Sequence, residues 1–183
     1  MSLLPTGAPL AALLNQARNA RLVALVQRRS NGTKGRPETA ELTREGGLVG
    51  DRWIENPSPM RQLTVMDVAV IRLLLAERVR VGLGAADLLG HLPLELPGDN
   101  LVVDHPTSVT AMPAGSRWRV GSALVEVNDV PHLGCKKFEA RFGTAAMQWV
   151  NERADLPLRL RGVNATVVED GEARLGDPWI RVA

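Results

Sequence analysis

The sequence predicts a mainly β fold with peripheral helices, a mostly antiparallel β-barrel rather than a doubly wound sheet. Three observations carry this expectation. Short β-branched and apolar runs recur along the whole 183-residue chain, and turn signals built on Gly, Asp and Pro separate them. The helical patterns between them come irregularly instead of alternating with strands. Hydrophobic residues make up 45% of the chain and aromatic residues only 3%, with no Tyr, so the core must rest on Leu, Val, Ala and Ile. The length suits one domain over residues 1–183, with 1–19 as an N-terminal helical extension.

The elements follow in order. Leu10 to Arg18 reads as a short amphipathic helix, and Arg21 to Gln27 as an apolar strand. Ser30 to Pro37 is a polar turn region, Thr39 to Thr43 a second strand, and Gly46-Gly47 ends it. A Pro-rich loop leads to a strand over Gln62–Met66. Asp67 then caps a helix to about Arg78, with Val68, Ile71, Leu74 and Leu75 as its apolar stripe. Val79 to Pro97 reads as a loop and Leu101–Val103 as a short strand. Gly121-Ser122 joins strands at Arg117–Val120 and Ala123–Val127. A helix is expected over Lys136–Glu152, with Phe138, Phe142, Ala145, Ala146, Trp149 and Val150 on one face. The C-terminal part reads as a meander of strands from Gly162, Glu172 and Pro178, turning at Glu169-Asp170-Gly171 and Gly176-Asp177.

Bulk properties exclude several function classes. The 22 Lys+Arg against 20 Asp+Glu leave a formal charge of +2, too small a bias to indicate nucleic acid. No apolar run approaches a membrane span. The N-terminus lacks the basic leader of an export signal, and with a single cysteine the expectation is a reducing, cytoplasmic compartment.

That cysteine lies in the densest chemical neighbourhood of the chain, Pro131-His-Leu-Gly-Cys-Lys-Lys-Phe-Glu-Ala-Arg-Phe-Gly143. Cys135 has no partner for an internal disulfide, so it is either a small buried hydrophobe or a reactive group. Neighbouring lysines and an expected helix N-terminus both suit a sulfur anion, and Gly134 would let the backbone approach a ligand. His132, three residues earlier, could share a pocket with it or serve as a turn residue. His-x-x-Cys is half a metal site, and His91 and His105 stand in loops without ligand spacing, so no structural zinc site is expected. A Cys-His hydrolase would need a third residue that no spacing supplies. Lys137 and Arg141 share a helix face, and with Lys136 and Arg161 they could hold a phosphate or present a solvated surface. Three Gly-Asp pairs recur at Gly50-Asp51, Gly98-Asp99 and Gly176-Asp177. Each could be a simple turn, while Arg52 and Asn100 beside the first two could face a ligand.

These segments together resemble the MOSC family, the domain at the C-terminus of molybdenum cofactor sulfurases and in stand-alone bacterial proteins. Gly47-Leu-Val-Gly-Asp-Arg-Trp53, Arg61-Gln-Leu-Thr-Val-Met66, Pro97-Gly-Asp-Asn-Leu101 and Gly115-Ser-Arg-Trp-Arg-Val-Gly121 look like its landmarks in order. The Cys135 segment, Arg161-Gly162 and Gly171 to Asp177 continue the likeness, which spans about Arg21 to Val182. The resemblance implies a β-barrel that recognises the molybdenum cofactor, molybdopterin. Cys135 would be its molybdenum ligand or a persulfide carrier, and Arg52, Lys137 and Arg161 would face the pterin phosphate. Related amidoxime-reducing proteins reduce N-hydroxylated compounds, and with no pyridoxal-phosphate domain here a carrier would draw sulfur from a cysteine desulfurase. A reductase would need a redox partner. Two departures stand out: His-Leu-Gly-Cys replaces the Arg-x-Pro-Cys of many members, and Trp53 replaces a usual His. Three expectations therefore stand side by side: a molybdenum oxidoreductase, a sulfur carrier, and a binding module with a structural thiol.

Overall fold

The computed structural model describes residues 4–16, 18–84 and 92–182. His91, and part of the loop expected over Val79–Pro97, lie outside the described residues. Along the chain, α1 (Gly7–Leu14) precedes β1 (Leu22–Leu25), the small hairpin of β2 (Gln27–Arg28) and β3 (Lys34–Gly35), then β4 (Thr39–Thr43) and β5 (Gly47–Leu48). Two 3-10 turns, Arg52–Glu55 and Pro59–Arg61, lead to β6 (Leu63–Asp67) and α2 (Val68–Arg80). Then come β7 (Leu101–Val103), β8 (Arg117–Val120), β9 (Ala123–Pro131), α3 (Lys136–Phe142) and α4 (Thr144–Val150). A 3-10 segment, Arg153–Leu158, precedes β10 (Val163–Glu169), β11 (Gly171–Arg174) and β12 (Trp179–Arg181).

Seven strands form one sheet in the order β1-β7-β6-β10-β9-β8-β12, antiparallel throughout except for the parallel pair β6 and β7. The sheet curls until its ends nearly meet. Arg21 bridges Pro178, and the Trp179 amide donates to the Ala20 carbonyl at 3.0 Å. The result is a nearly closed barrel with four helices, the mainly β architecture that the strand and turn pattern predicts.

Strand alternation sorts the side chains into two cores. Val65, Leu101 and Val103 point into the barrel with Trp118 and Trp179, whose rings stack at 5.7 Å. Their neighbours Met66 and Val102 point outward, where Leu10, Ile71, Leu74, Phe138, Phe142 and Trp149 cover them. The α2 stripe is buried as its spacing dictates, and Asp67 caps the helix by accepting from the Ala69 amide at 2.8 Å. Arg18 secures the N-terminal segment on that same carboxylate, at 2.6 Å.

Three expectations change. The single helix over Lys136–Glu152 is two, because Gly143 at φ 85° caps α3 and redirects the chain into α4. Ala145, expected on the apolar face, is exposed as a consequence. The C-terminal meander does not form: β10 pairs with β9 and β6, β11 with β4, and β12 with β8. Turn signals are local, whereas pairing in a closing barrel is set by which open edge lies within reach. The first helix also stops at Leu14, short of Arg18.

Candidate functional site

Three chain segments converge at one end of the barrel. β9 ends at Pro131 and delivers His132, β10 starts just after Arg161-Gly162, and β7 starts just after Asp99-Asn100. They meet because Val163 lies opposite both Pro131 and Val65, and Leu101 lies beside that same Val65. Gly162 makes the approach feasible. Its φ is 89°, and a Cβ there would stand 2.1 Å from the Val65 carbonyl oxygen.

Asp99 is fully buried between two partners. Its Oδ2 accepts from Arg161 Nη1 at 2.5 Å, and its Oδ1 faces His132 Nε2 at 3.0 Å. Burial by itself would raise this carboxyl, but Arg161 and His132 overcome that and hold it well below the usual carboxylate range. An ionised Asp99 can only accept, so Nε2 of His132 carries a proton and Nδ1 of the neutral ring keeps its lone pair. His132 itself is pushed below its ordinary value, first by burial and then by Arg161, against the pull of Asp99. The neutral imidazole is therefore its form at pH 7. Arg161 rests its guanidinium 5.0 Å from the centre of the Phe138 ring.

A cleft of about 310 Å³ opens on one side of this trio. Cys135 is exposed and lines it together with His132 and Arg161. It is the N-cap residue of α3, so Lys137 and Arg141, one turn apart, reach the same cleft. Arg141 donates to the Pro97 carbonyl at 3.0 Å and lies close enough to Cys135 to feel charge on its sulfur. From the facing side come Arg28, Arg29 and Lys34 of the β2–β3 hairpin, and Arg52 at the head of its 3-10 turn. Among the described residues, seven cationic side chains and no carboxylate thus line one cleft.

Two of the seven are matched from behind, Arg161 by Asp99 and Arg28 by Asp51 at 2.8 Å. Lys34 shows what the crowding costs: burial, then the neighbouring Arg141, pull its ammonium from 10.5 down to about 8. A cleft with this surplus is suited to an anion that bears several oxygen acceptors. Among the described residues no group of three His, Cys, Asp or Glu side chains could hold a metal ion, so Cys135 offers a lone protein ligand.

The structure brings Cys135, His132, Arg52, Lys137, Arg141 and Arg161 together around this cleft. Asn100 is placed otherwise. It is fully buried, its Oδ1 accepts from the Thr64 amide at 3.2 Å, and its Nδ2 donates to Asp51 at 3.0 Å and Val26 at 3.3 Å. Instead of facing a ligand, it ties the Asp99 loop to the Asp51 loop. Gly134 also differs from expectation, since a Cβ there would meet Met147 Sδ at 2.8 Å and Val150 Cγ2 at 2.9 Å. The close approach it permits is to α4. Lys136 does not line the cleft, and Asp177 makes a plain turn by accepting from the Arg174 amide at 2.7 Å. The sequence reading missed Arg28, Arg29 and Lys34; the only signal was their basic character on both sides of the Gly32 turn.

Comparison with known proteins agrees with this architecture. A family model for the MOSC domain matches residues 57–179, which includes Asp99, His132, Cys135 and Arg161. The chain is similar to YiiM from Escherichia coli, with a TM-score of 0.57 and 20% identity over 89% of this chain and 70% of that one. It is similar to the YuaD protein from Bacillus subtilis, with a TM-score of 0.54 and 15% identity over 86% and 92% of the two chains. YiiM from Geobacillus stearothermophilus gives 0.56 and 13% over 90% and 75%. At such identities the likeness is one of fold. Curated proteins give no sequence match. With the family's model matched over residues 57–179, more than half of the chain, and a barrel of the same fold formed, the chain belongs to the MOSC domain family.

Proposed function

We propose that this protein binds the molybdenum cofactor in the Cys135 cleft and uses it to remove oxygen from N-hydroxylated compounds. The observation that carries the reading is the exposed thiol set among seven cations without a carboxylate. A bare sulfur carrier needs the accessible thiol but has no use for that charge; a pterin phosphate does. The MOSC family is associated with this cofactor, and the donor set fits it. Cys135 supplies one soft sulfur ligand. Arg52 and Lys137, which make no ion pair within the described residues, are available for phosphate oxygens. When bound, the cofactor would supply a metal centre that takes electrons from a redox partner and delivers them to the substrate.

The remaining work falls to the chain. Converting an N–OH group to N–H and water consumes two electrons and two protons. His132 lines the cleft with Nδ1 unprotonated and Asp99 bonded behind it, so it can take up a proton and return it without losing its orientation. Arg161 holds Asp99 ionised and thereby keeps the ring in that tautomer.

Metal and pterin analysis of wild type and Cys135→Ser, purified from a molybdopterin-sufficient host, tests the reading. Stoichiometric molybdenum in wild type and its loss from the variant is the expected result. Folded wild type without molybdenum or pterin would sink it. Cys135 is also exposed enough to hand on a sulfur atom, the second reading. One added sulfur on Cys135 after incubation with a cysteine desulfurase, in a protein that takes up no cofactor, would replace the first with the second.

A further inference from the structure

A second cavity lies back to back with the Cys135 cleft, and the two share His132 and Arg161 as a common wall. At about 430 Å³ it is the roomier of the two and falls in the size range of small-molecule sites. Val150 and Val163 form buried apolar walls, and Val130 extends that surface. Leu133 and Leu156, 49% and 43% exposed, are left bare at its rim. Large aliphatic side chains facing water around a concave apolar surface indicate something that covers them.

The charges at this cavity are of one kind in excess. Arg153 and Arg159 line it, and neither forms an ion pair within the described residues. Among the described residues the Arg159 side chain makes one hydrogen bond, from Nη1 to the Met112 carbonyl at 2.7 Å, and Arg153 stands exposed in the 3-10 segment before β10. Arg161 is already matched by Asp99, and among the described residues Asp129 is the sole carboxylate in the lining. Apolar walls beneath two unmatched guanidinium groups call for a ligand with a hydrocarbon body and one anionic head, which an Arg fork holds through two parallel hydrogen bonds.

We infer that this cavity is a binding site for a small amphipathic monocarboxylate, separate from the cationic cleft across the shared wall. Asn151 stands at the boundary between the two sites. This residue lines the cavity while its Oδ1 accepts from the Gly134 amide at 2.9 Å and its Nδ2 donates to the Gly134 carbonyl at 3.3 Å, next to Cys135. The inference does not depend on molybdenum, so it stands or falls apart from the cofactor reading.

Calorimetric titration of the full chain with octanoate tests it, with octan-1-ol and octylammonium as matched neutral and cationic chains. One saturable site is expected for octanoate, at least about tenfold weaker for the alcohol and absent for the cation. Arg153→Gln, which removes no hydrogen bond or ion pair among the described residues, should weaken octanoate by about tenfold, and Leu133→Asp should abolish binding. Inorganic phosphate, which competes for the cationic cleft, should leave octanoate binding unchanged. The inference is overturned if octanoate gives no saturable binding, if octylammonium binds equally, if neither variant has an effect, or if phosphate displaces octanoate.

Discussion

Asp51 and Asp99 start from the same two-residue pattern, a glycine at positive φ followed by aspartate, and end in different work. Both are buried and both face an arginine. Asp51 collects the Arg28 amide and side chain, the Trp53 amide and Asn100, from β2, the first 3-10 turn and the segment before β7. Asp99 reaches instead to Arg161 and His132, the residues that separate the cleft from the cavity behind it. Asn100 joins the two, bonded to Asp51 and adjacent in the chain to Asp99. The difference lies in the partners' access to water. The Arg28 side chain is 20% exposed and that of Arg161 only 7%. One centre is a clamp between segments with an outlet to solvent, and the other is a more deeply buried charge pair that fixes a histidine.

Substitutions can break this contrast, starting with the largest effect. Asp99→Asn strands a buried guanidinium and should cost about 3–5 kcal/mol in denaturant unfolding. Asp51→Asn should cost about 1–3 kcal/mol, because Arg28 can turn into water. Equal losses in urea titrations would show that exposure is not what separates the centres.

Charge in the cleft between them gives the next effect. Lys34 loses its proton as pH rises through about 8. Phosphate binding should therefore weaken severalfold between pH 7 and 9, and Lys34→Gln should flatten that profile. A smaller effect marks the histidine. Burial keeps folded His132 neutral where an unfolded histidine titrates near 6.5, so the unfolded state binds the extra proton. Stability contributed by this group must fall as pH drops below 6.5, and His132→Gln should remove that part of the slope while Asp51→Asn leaves it. Both aspartates add a separate acid loss, present above their unfolded value of 3.8 and lost as pH falls toward their lower folded values. The smallest effect belongs to Cys135→Ser. An exposed cap with no side-chain cap bond should change stability by no more than about 0.5 kcal/mol in urea titrations.

Much of this could be read in the residues themselves. The α2 stripe and its Asp67 cap, the strand at Thr39–Thr43 and the Gly121-Ser122 hairpin are local patterns, and local sterics and hydrogen bonding suffice to set them. Cys135 stood out by its cationic neighbours and by having no possible partner. The break at Gly143 was less legible, because a glycine within an apolar period is tolerated until packing bends the chain there. Asn100 read as ligand-facing because an Asx side chain after a turn looks the same from sequence whether it bonds a ligand or a neighbouring loop.

By itself, then, the chain determined most of its element types, its mainly β class and the place of its single cysteine at the head of a helix, since these depend on neighbours within a few residues. Only the tertiary structure decided which distant segments share the site. The tertiary fold pairs β11 with β4 in a separate three-stranded sheet and β12 with β8 in the barrel, sets Arg28, Arg29 and Lys34 opposite α3, and buries Asp99 between Arg161 and His132. Each is a meeting across tens of residues, governed by sheet curvature and by the need to satisfy buried charge, and neither is written in any short stretch of the sequence.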